Sequence, residues 1–217
     1  MPRALIFLCP LLLVACTALD PGPRNLSDLK NELAEYSTSG DYQGDLAKSV
    51  SSAESYLRKR KAKGGQNLAV IFDIDETVLS NLPHMKEMDW GYQPTQWNAW
   101  VETAQGPALD PVRDIYHTAI ELELHIFFLT GRTEDDRAAT VRNLRAQGMG
   151  SFEQLLLRPK RGTAPYEKAV DYKSRTRKNL TANGYTIIAS FGDQESDLEG
   201  GYSERAFKLP NPFYRIP

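Results

Sequence analysis

An apolar run, Leu68-Ala69-Val70-Ile71-Phe72, passes without a break into Asp73-Ile74-Asp75-Glu76-Thr77. The run is too short for a helix of ordinary length. Its β-favouring, uniformly apolar character is that of a strand buried on both faces of a parallel sheet. The carboxylates at its end are costly to desolvate unless a cation or strong donors meet them. In an open α/β sheet, ligands gather outside the carboxyl ends of the strands. Asp73 and Asp75 are therefore candidates for a metal-assisted site, one as nucleophile and the other as acid or base. The competing reading is a solvated Asp-rich turn.

From residue 68 strand and helix patterns alternate. An irregular, aromatic, cap-like insertion spans residues 81–110. Asp110-Pro111 then supplies an N-cap and a proline suited to a first helical turn. That helix runs to Glu123 and feeds a second buried strand, Leu124-His125-Ile126-Phe127-Phe128-Leu129, closed by Thr130-Gly131-Arg132. A helix from Glu134 to Gln147 ends at Gly148, and Leu155-Leu156-Leu157 makes a short third strand. A helix from Tyr166 to Ala182 precedes the fourth strand, Tyr185 to Phe191, and Gly192-Asp193 follow directly. Arg205 to Leu209 can add a fifth strand before Pro210. Alternation of this kind predicts an α/β fold, a Rossmann-like parallel sheet flanked by helices.

The first residues have a different character. Arg3 precedes an apolar segment from Ala4 to Ala15, well short of the ~20 residues that span a bilayer. A charged start, a short apolar core and a small residue before a cut predict a signal peptide over 1–15. Leu13-Val14-Ala15-Cys16 resembles the lipobox of bacterial lipoproteins, which implies cleavage before Cys16 and lipidation of that cysteine. Thr17 after the cysteine implies export to the bacterial envelope with outer-membrane sorting, the face left open. Residues 16–26 then form a lipidated, Pro- and Gly-bearing tether, and residues 27–217 the folded domain. Its N-terminal helices, residues 27–63, comprise one over 27–36 and one over 44–62; in the second, Leu46, Val50, Ala53 and Leu57 repeat at helical spacing. Cys9 and Cys16 are the only cysteines, so the exported chain keeps one and can form no internal disulfide. Cutting off Arg3 leaves 25 basic against 28 acidic side chains. That balance excludes the basic surplus of a nucleic-acid polymer binder.

The strand ends carry a common chemistry. Asp73 and Asp75 close the first strand, Thr130 the second and Asp193 the fourth, with Asp197 four residues on and Lys173 on the preceding helix. In a parallel sheet these ends point the same way and can converge. Several carboxylates in one pocket repel unless a hard cation joins them, and all-oxygen ligands suit Mg²⁺. A hydroxyl and an ammonium supply donors for the oxygens of a phosphoryl group.

In order, Asp-Ile-Asp-Glu-Thr, a strand ending Thr-Gly-Arg, Tyr172-Lys173-Ser174 and Gly192-Asp193-Gln194-x-x-Asp197 resemble the four motifs of the haloacid-dehalogenase (HAD) superfamily. Within it they resemble the four-aspartate acid phosphatases, a group that includes bacterial lipoprotein phosphatases and plant vegetative storage proteins. The tail from Phe207 to Tyr214 is similar to the storage-protein ending. The resemblance implies a Mg²⁺-dependent hydrolase of small phosphomonoesters, nucleotides among them. It implies Asp73 as nucleophile and Asp75 as acid/base. It also implies a metal held by Asp73, the Asp75 backbone carbonyl and Asp193, with Asp197 behind them. Thr130 and Lys173 would bind phosphate; Lys160 and Lys168 are alternative lysines, but the Tyr-Lys-Ser context favours Lys173. Trp90, Tyr92, Trp97 and Trp100 in the insertion are candidates for stacking a substrate base, although the i, i+3 pair Trp97 and Trp100 equally fits helix packing. Arg132 fits either substrate phosphate or a surface acid such as Glu134 or Asp135, and Glu76 a supporting place in the turn. The alternative function is a catalytically weak storage or ligand-binding relative of the same fold. Oligomeric state is not legible.

Overall fold

The computed structural model of the chain describes residues 22–165 and 167–216. At its centre lies a wholly parallel sheet in the order β3-β2-β1-β4-β5. The strands are β1 (Leu68–Phe72), β2 (His125–Thr133), β3 (Gln154–Arg158), β4 (Thr186–Gly192) and β5 (Ala206–Lys208). The chain leaves β1 for β2 on one side and later returns to β4 on the other. Strand order thus reverses at β1, and the crevice beyond its carboxyl end is where such a sheet receives a ligand.

Alternation along β1 assigns the two faces of the sheet. Leu68, Val70 and Phe72 join one core cluster, whereas Ala69 and Ile71 join another on the opposite face. Parallel register lines Phe128, Phe72, Phe191 and Phe207 up across four strands. Phe72 stacks on Phe191 at 4.7 Å between centroids, and Phe191 stacks on Phe207 at 4.7 Å. In this buried row, Phe72 lies one residue before Asp73 and Phe191 two residues before Asp193, giving the strand-end carboxylates a rigid base.

Helices α1 (Leu26–Tyr36), α2 (Asp41–Val50) and α3 (Ala53–Ala62) lead into the sheet. The single helix predicted over 44–62 is in fact two. It starts earlier, at Asp41, and breaks at Ser51-Ser52, where the Ser51 hydroxyl donates to the Lys48 carbonyl and competes with the helical ladder. The predicted apolar face survives the break, since Leu46, Val50, Ala53 and Leu57 are all buried.

The insertion after β1 folds as α4 (Leu82–Glu87) and α5 (Pro94–Thr103), and α6 (Asp110–Glu121) follows. Leu109, rather than Asp110, occupies the N-cap of α6; Asp110 sits inside the first turn, 2.9 Å from Arg113. β2 continues past Leu129 to Thr133, with a register shift against β3 over Thr130-Gly131-Arg132. Thr133 and Asp136 then form a capping box ahead of α7 (Arg137–Ala146). On the opposite side α8 (Ala169–Ala182) begins three residues later than predicted, and the short α9 (Glu195–Leu198) follows β4. The signal peptide, Cys16 and most of the tether fall outside the described residues; among those described, no helix is long and apolar enough to cross a membrane.

Candidate active site

Four side chains meet where β1, β4, α8 and α9 converge. Asp73 is tied to the sheet by its backbone N–H, which donates to Phe191 O at 3.0 Å. The loop after it is tight: Ile74 O accepts from the backbone N–H groups of Thr77, Val78 and Leu79, and Glu76 adopts a left-handed φ of 54°. Across the crevice, Lys173 reaches from α8 and places its ammonium 2.5 Å from Asp73 Oδ1 and 2.5 Å from Asp197 Oδ1. Lys173 is buried at this cluster, whereas Lys160 and Lys168 are exposed.

Asp193 and Asp197 complete the cluster. Carboxylate oxygens of Asp73, Asp193 and Asp197 lie within 4.8 Å of one another, all three buried. Asp193 Oδ1 accepts from Thr77 Oγ1 at 3.2 Å; its Oδ2 accepts from Gln194 Nε2 at 2.5 Å and Asn211 Nδ2 at 2.6 Å. Asp197 Oδ2 accepts the Gln194 backbone N–H at 2.8 Å, which aims its other oxygen at Lys173. Close packing sets this up: a Cβ on Gly192 would fall 2.3 Å from Asp197 Cβ, so only glycine admits Asp197 here. Behind it, buried Arg177 donates to the carbonyls of Asp197, Glu199 and Gly201 and fixes the loop that carries α9.

Asp75 stands apart from this cluster, half-buried, in the grip of Arg132. Arg132 Nη2 donates to Oδ1 at 2.7 Å, Nε is 3.2 Å from both oxygens, and Nη1 donates to Thr140 at 3.0 Å. Arg132 therefore pairs with neither Glu134 nor Asp135, the surface acids that sequence proximity suggested. Those partners go to Arg137 and Arg161, because the register shift in β2 turns Arg132 inward. Thr130 is buried at the same strand end; its hydroxyl accepts the Arg132 N–H at 3.1 Å, which leaves the hydroxyl proton to donate.

The electrostatics separate these acids. Burial, with Asp197, Asp193 and Asp75 nearby, pushes the Asp73 carboxyl well above the ordinary range against the pull of Lys173. Asp193 rises to about 6, from burial and then the Asp197 charge, despite the amides of Asn211 and Gln194. At Asp75 burial also pushes upward, but the charge and hydrogen bonds of Arg132 and the Asn81 amide outweigh it and lower the pKa. Glu76, wholly buried beside Asp75, is raised to about 8 by burial and then by the Asp75 charge. Fully ionised, Asp73, Asp75, Asp193 and Asp197 would set four negative charges against the two positive charges of Lys173 and Arg132, a deficit that one divalent cation would match. The all-oxygen donor set suits a hard ion.

The aromatic candidates divide. Trp90 stacks on Phe213 at 5.5 Å, and Trp100 lies parallel to buried His84 at 5.7 Å while its indole N–H bonds Asn81. Each thus has one face occupied within the fold. Tyr92 is 69% exposed and lies 6.4 Å from Trp97, which is half-buried like the other two tryptophans. A cavity of about 460 Å³ opens on Asp193, Gln194 and Ser196, walled by Lys208, Asn211 and Tyr214. A larger groove, about 710 Å³, lies between α1 and Trp90–Phe213 and includes none of the clustered acids; the chemistry lies with the carboxylates, not with the larger space.

Sequence reasoning passed over Asn81, Arg177 and Asn211 and understated Arg132. Their types are common in loops and helices, and only the fold brings them to the site. A signal was nonetheless present for Asn211, which sits in the tail Phe207 to Tyr214 that carried part of the resemblance.

Comparison with known proteins adds an independent line. The family model described as HAD superfamily, subfamily IIIB (acid phosphatase) matches residues 18–217. Acid phosphatase 1 of Solanum lycopersicum is 35% identical over 187 residues, covering 84% of this chain and 72% of that protein. The stem 28 kDa glycoprotein of Glycine max is 37% identical over 188 residues, with the same coverage of 84% and 72%. Among solved structures, the class C acid phosphatase from Bacillus anthracis superposes with a TM-score of 0.72 at 24% identity, covering 87% of this chain and 86% of its own. A structure of that enzyme with tungstate bound matches at 25% identity with a TM-score of 0.72, covering 88% and 86%.

Proposed function

Because this chain belongs to subfamily IIIB of the HAD superfamily, the acid phosphatases, we propose that it hydrolyses small phosphomonoesters through an aspartyl-phosphate on Asp73. The observation that carries this reading is the division of the acids. One buried carboxylate, Asp73, lies against Lys173 within a cation-deficient cluster, and a second, Asp75, is held separately two residues on.

In the first step an Asp73 oxygen attacks phosphorus, the bond to the leaving oxygen breaks, and Asp75 gives that oxygen its proton. In the second, Asp75, now a carboxylate, takes a proton from water. The water oxygen attacks phosphorus and the bond to Asp73 breaks, which restores both residues. Lys173 pulls the Asp73 carboxyl toward its ionised, attacking form against the effect of burial and, with the Thr130 hydroxyl, offers donors to the phosphoryl oxygens. Arg132 holds Asp75 ionised in the resting protein, ready as base, so Asp75 must take its first proton from acidic solution.

Mg²⁺ is the proposed cofactor, held by Asp73, Asp193 and the Asp75 carbonyl with Asp197 behind them. When bound, it supplies positive charge against the phosphoryl oxygens and offsets carboxylate repulsion. Support comes from the twofold charge deficit and the oxygen-only donors. The Bacillus anthracis relative has been solved with tungstate, a tetrahedral oxyanion like phosphate. The storage reading keeps some ground, since vegetative storage protein 2 of Arabidopsis thaliana is 34% identical over 184 residues. Asp73 and its lysine stand against it.

We also propose an envelope location, probed through Cys16. Incorporation of labelled palmitate into the wild type and not into Cys16→Ser supports the anchor; label retained by the variant refutes it. The decisive assay for activity is turnover of a phosphomonoester panel by the purified protein, with Mg²⁺ and with chelator, across acidic to neutral pH. Absence of metal-dependent turnover at every pH would sink the enzymatic reading.

A further inference from the structure

We propose that Asn211, on the C-terminal segment after β5, is a positioning residue for the metal. It fixes the orientation of the Asp193 carboxylate and so sets how tightly the acid cluster holds Mg²⁺. The inference rests on the proposed metal site at Asp73 and Asp193.

The Asp193 carboxylate is held unevenly. Its Oδ2 accepts from Gln194 Nε2 at 2.5 Å and from Asn211 Nδ2 at 2.6 Å, two donors for the two lone pairs of that oxygen. Its Oδ1 accepts from the Thr77 hydroxyl alone, at 3.2 Å. Oδ1 is therefore the oxygen with a lone pair left to give a cation. Freed from the amides, the carboxyl could turn either oxygen toward the cluster, and a ligand that must be ordered as the metal binds is a weaker ligand.

Each amide has its orientation imposed by its other end. Asn211 Oδ1 accepts the Phe213 backbone N–H at 2.9 Å, an Asx-turn across Pro212, and lies 3.4 Å from the Tyr214 nitrogen. Backbone N–H groups require the amide oxygen, which sends the amide nitrogen to Asp193. Gln194 Oε1 accepts the Ile216 N–H at 3.0 Å, and the Gln194 side chain also accepts the Asp197 N–H as the cap of α9. The C-terminal segment thus sets one of the two amides by itself and helps to set the other.

The segment is anchored independently of the Asn211 nitrogen. The Leu209 N–H donates at 2.9 Å to the carbonyl of Gly192, the residue before Asp193. Phe213 is buried, edge-on to Tyr42 at 5.1 Å and stacked on Trp90 at 5.5 Å. The Tyr214 hydroxyl donates to Glu76 Oε2 at 2.7 Å, on the turn after β1. These anchors keep the segment in place when the bond to Asp193 is lost, so the loss falls on the carboxylate rather than on the fold.

Asn211→Ser tests this by separating the two ends of the amide. A serine hydroxyl can still accept the Phe213 N–H in an ST-turn, but it ends too short to donate to Asp193. Calorimetric titration of Mg²⁺ into the metal-free full chain should give a Kd on the order of 10- to 100-fold weaker than for the wild type, the usual scale for losing a group that orients a metal ligand. The Tm in EDTA should change little, while the rise in Tm at a fixed Mg²⁺ concentration should shrink. Gln194→Met removes the other amide from the same oxygen and should weaken Mg²⁺ binding in the same sense; it carries the test if Asn211→Ser does not fold. An unchanged Kd, whether or not the Tm in EDTA falls, overturns the inference and leaves Asn211 a purely structural residue. A wild-type protein that binds no Mg²⁺ overturns the metal site instead.

Discussion

Arg132 grips Asp75 from one side with two nitrogens, Nη2 at 2.7 Å and Nε at 3.2 Å, and so holds the carboxyl below its ordinary pKa despite burial. The sign of the linkage follows. A depressed carboxyl stabilises the fold above the ordinary carboxylate range and loses that contribution as pH falls through its lowered value. For catalysis the same pairing works against protonation at neutral pH.

Arg132→Gln should therefore move activity toward neutrality. Without the guanidinium the Asp75 pKa rises, and its acid form persists to higher pH. A guanidinium beside an aspartate is worth about 1–3 pKa units, so the pH profile of kcat/KM on an alkyl phosphate should shift upward by about that much. A profile with unchanged limbs would show that Asp75 is not the titrating acid.

Mg²⁺ should stabilise this protein through the acid cluster. A ligand that binds only the folded state contributes about 2.7 kcal/mol at a hundredfold excess over its Kd. Thermal unfolding with Mg²⁺ and with EDTA should show that rise in Tm, and Asp193→Asn should abolish most of it. Asp193 is the informative position because burial, and then the Asp197 charge, raise its pKa to about 6, and a bound cation would offset both. Equal Tm values in both buffers for the wild type would remove the cluster as a metal site.

How far this architecture was readable follows from the range of the interactions involved. The strand before Asp73, the sheet class and the order of Asp73, Thr130, Lys173, Asp193 and Asp197 were legible because each depends on a local apolar run or a short motif. The break at Ser51-Ser52 was not, since the apolar spacing runs on unbroken and only hydroxyl–backbone competition interrupts the helix. Nor was the inward turn of Arg132, which requires the register shift against β3, a property of two strands 25 residues apart in their pairing of Thr133 with Arg158. Asn211 was hidden for the same reason, since it acts on Asp193 from a separate segment, whereas Asn81 meets Asp75 and Glu76 only because the turn after β1 folds back on itself.

Gly192 offers a prediction about crowding. A Cβ there would sit 2.3 Å from Asp197 Cβ and 2.6 Å from one of its carboxylate oxygens, so Asp197 must shift and with it the bond to Lys173. Gly192→Ala should lower kcat on the order of a hundredfold, the scale of a displacement of about 1 Å in an oriented site. Gly44→Ala is the control: its Cβ would meet nothing within 4 Å at an exposed position of α2, so Tm should hold or rise slightly. Full activity in Gly192→Ala would show that the position of Asp197 is not critical.

Asp73→Asn separates stability from catalysis. Burial and three neighbouring acids push the Asp73 pKa well up, so the fold carries its charge at a cost that the reaction requires. Asparagine has nearly the same shape and no charge, and Lys173 keeps its bond to Asp197. Without metal, the variant should therefore melt at the same temperature as the wild type or higher. Its kcat should fall on the order of 10⁴-fold or more, the scale of losing a nucleophile. Acid-quenched wild type should carry a phosphoryl mass on the peptide holding Asp73, and the variant should carry none. Retained turnover, or a phosphoryl group on another residue, would place the nucleophile elsewhere in the crevice.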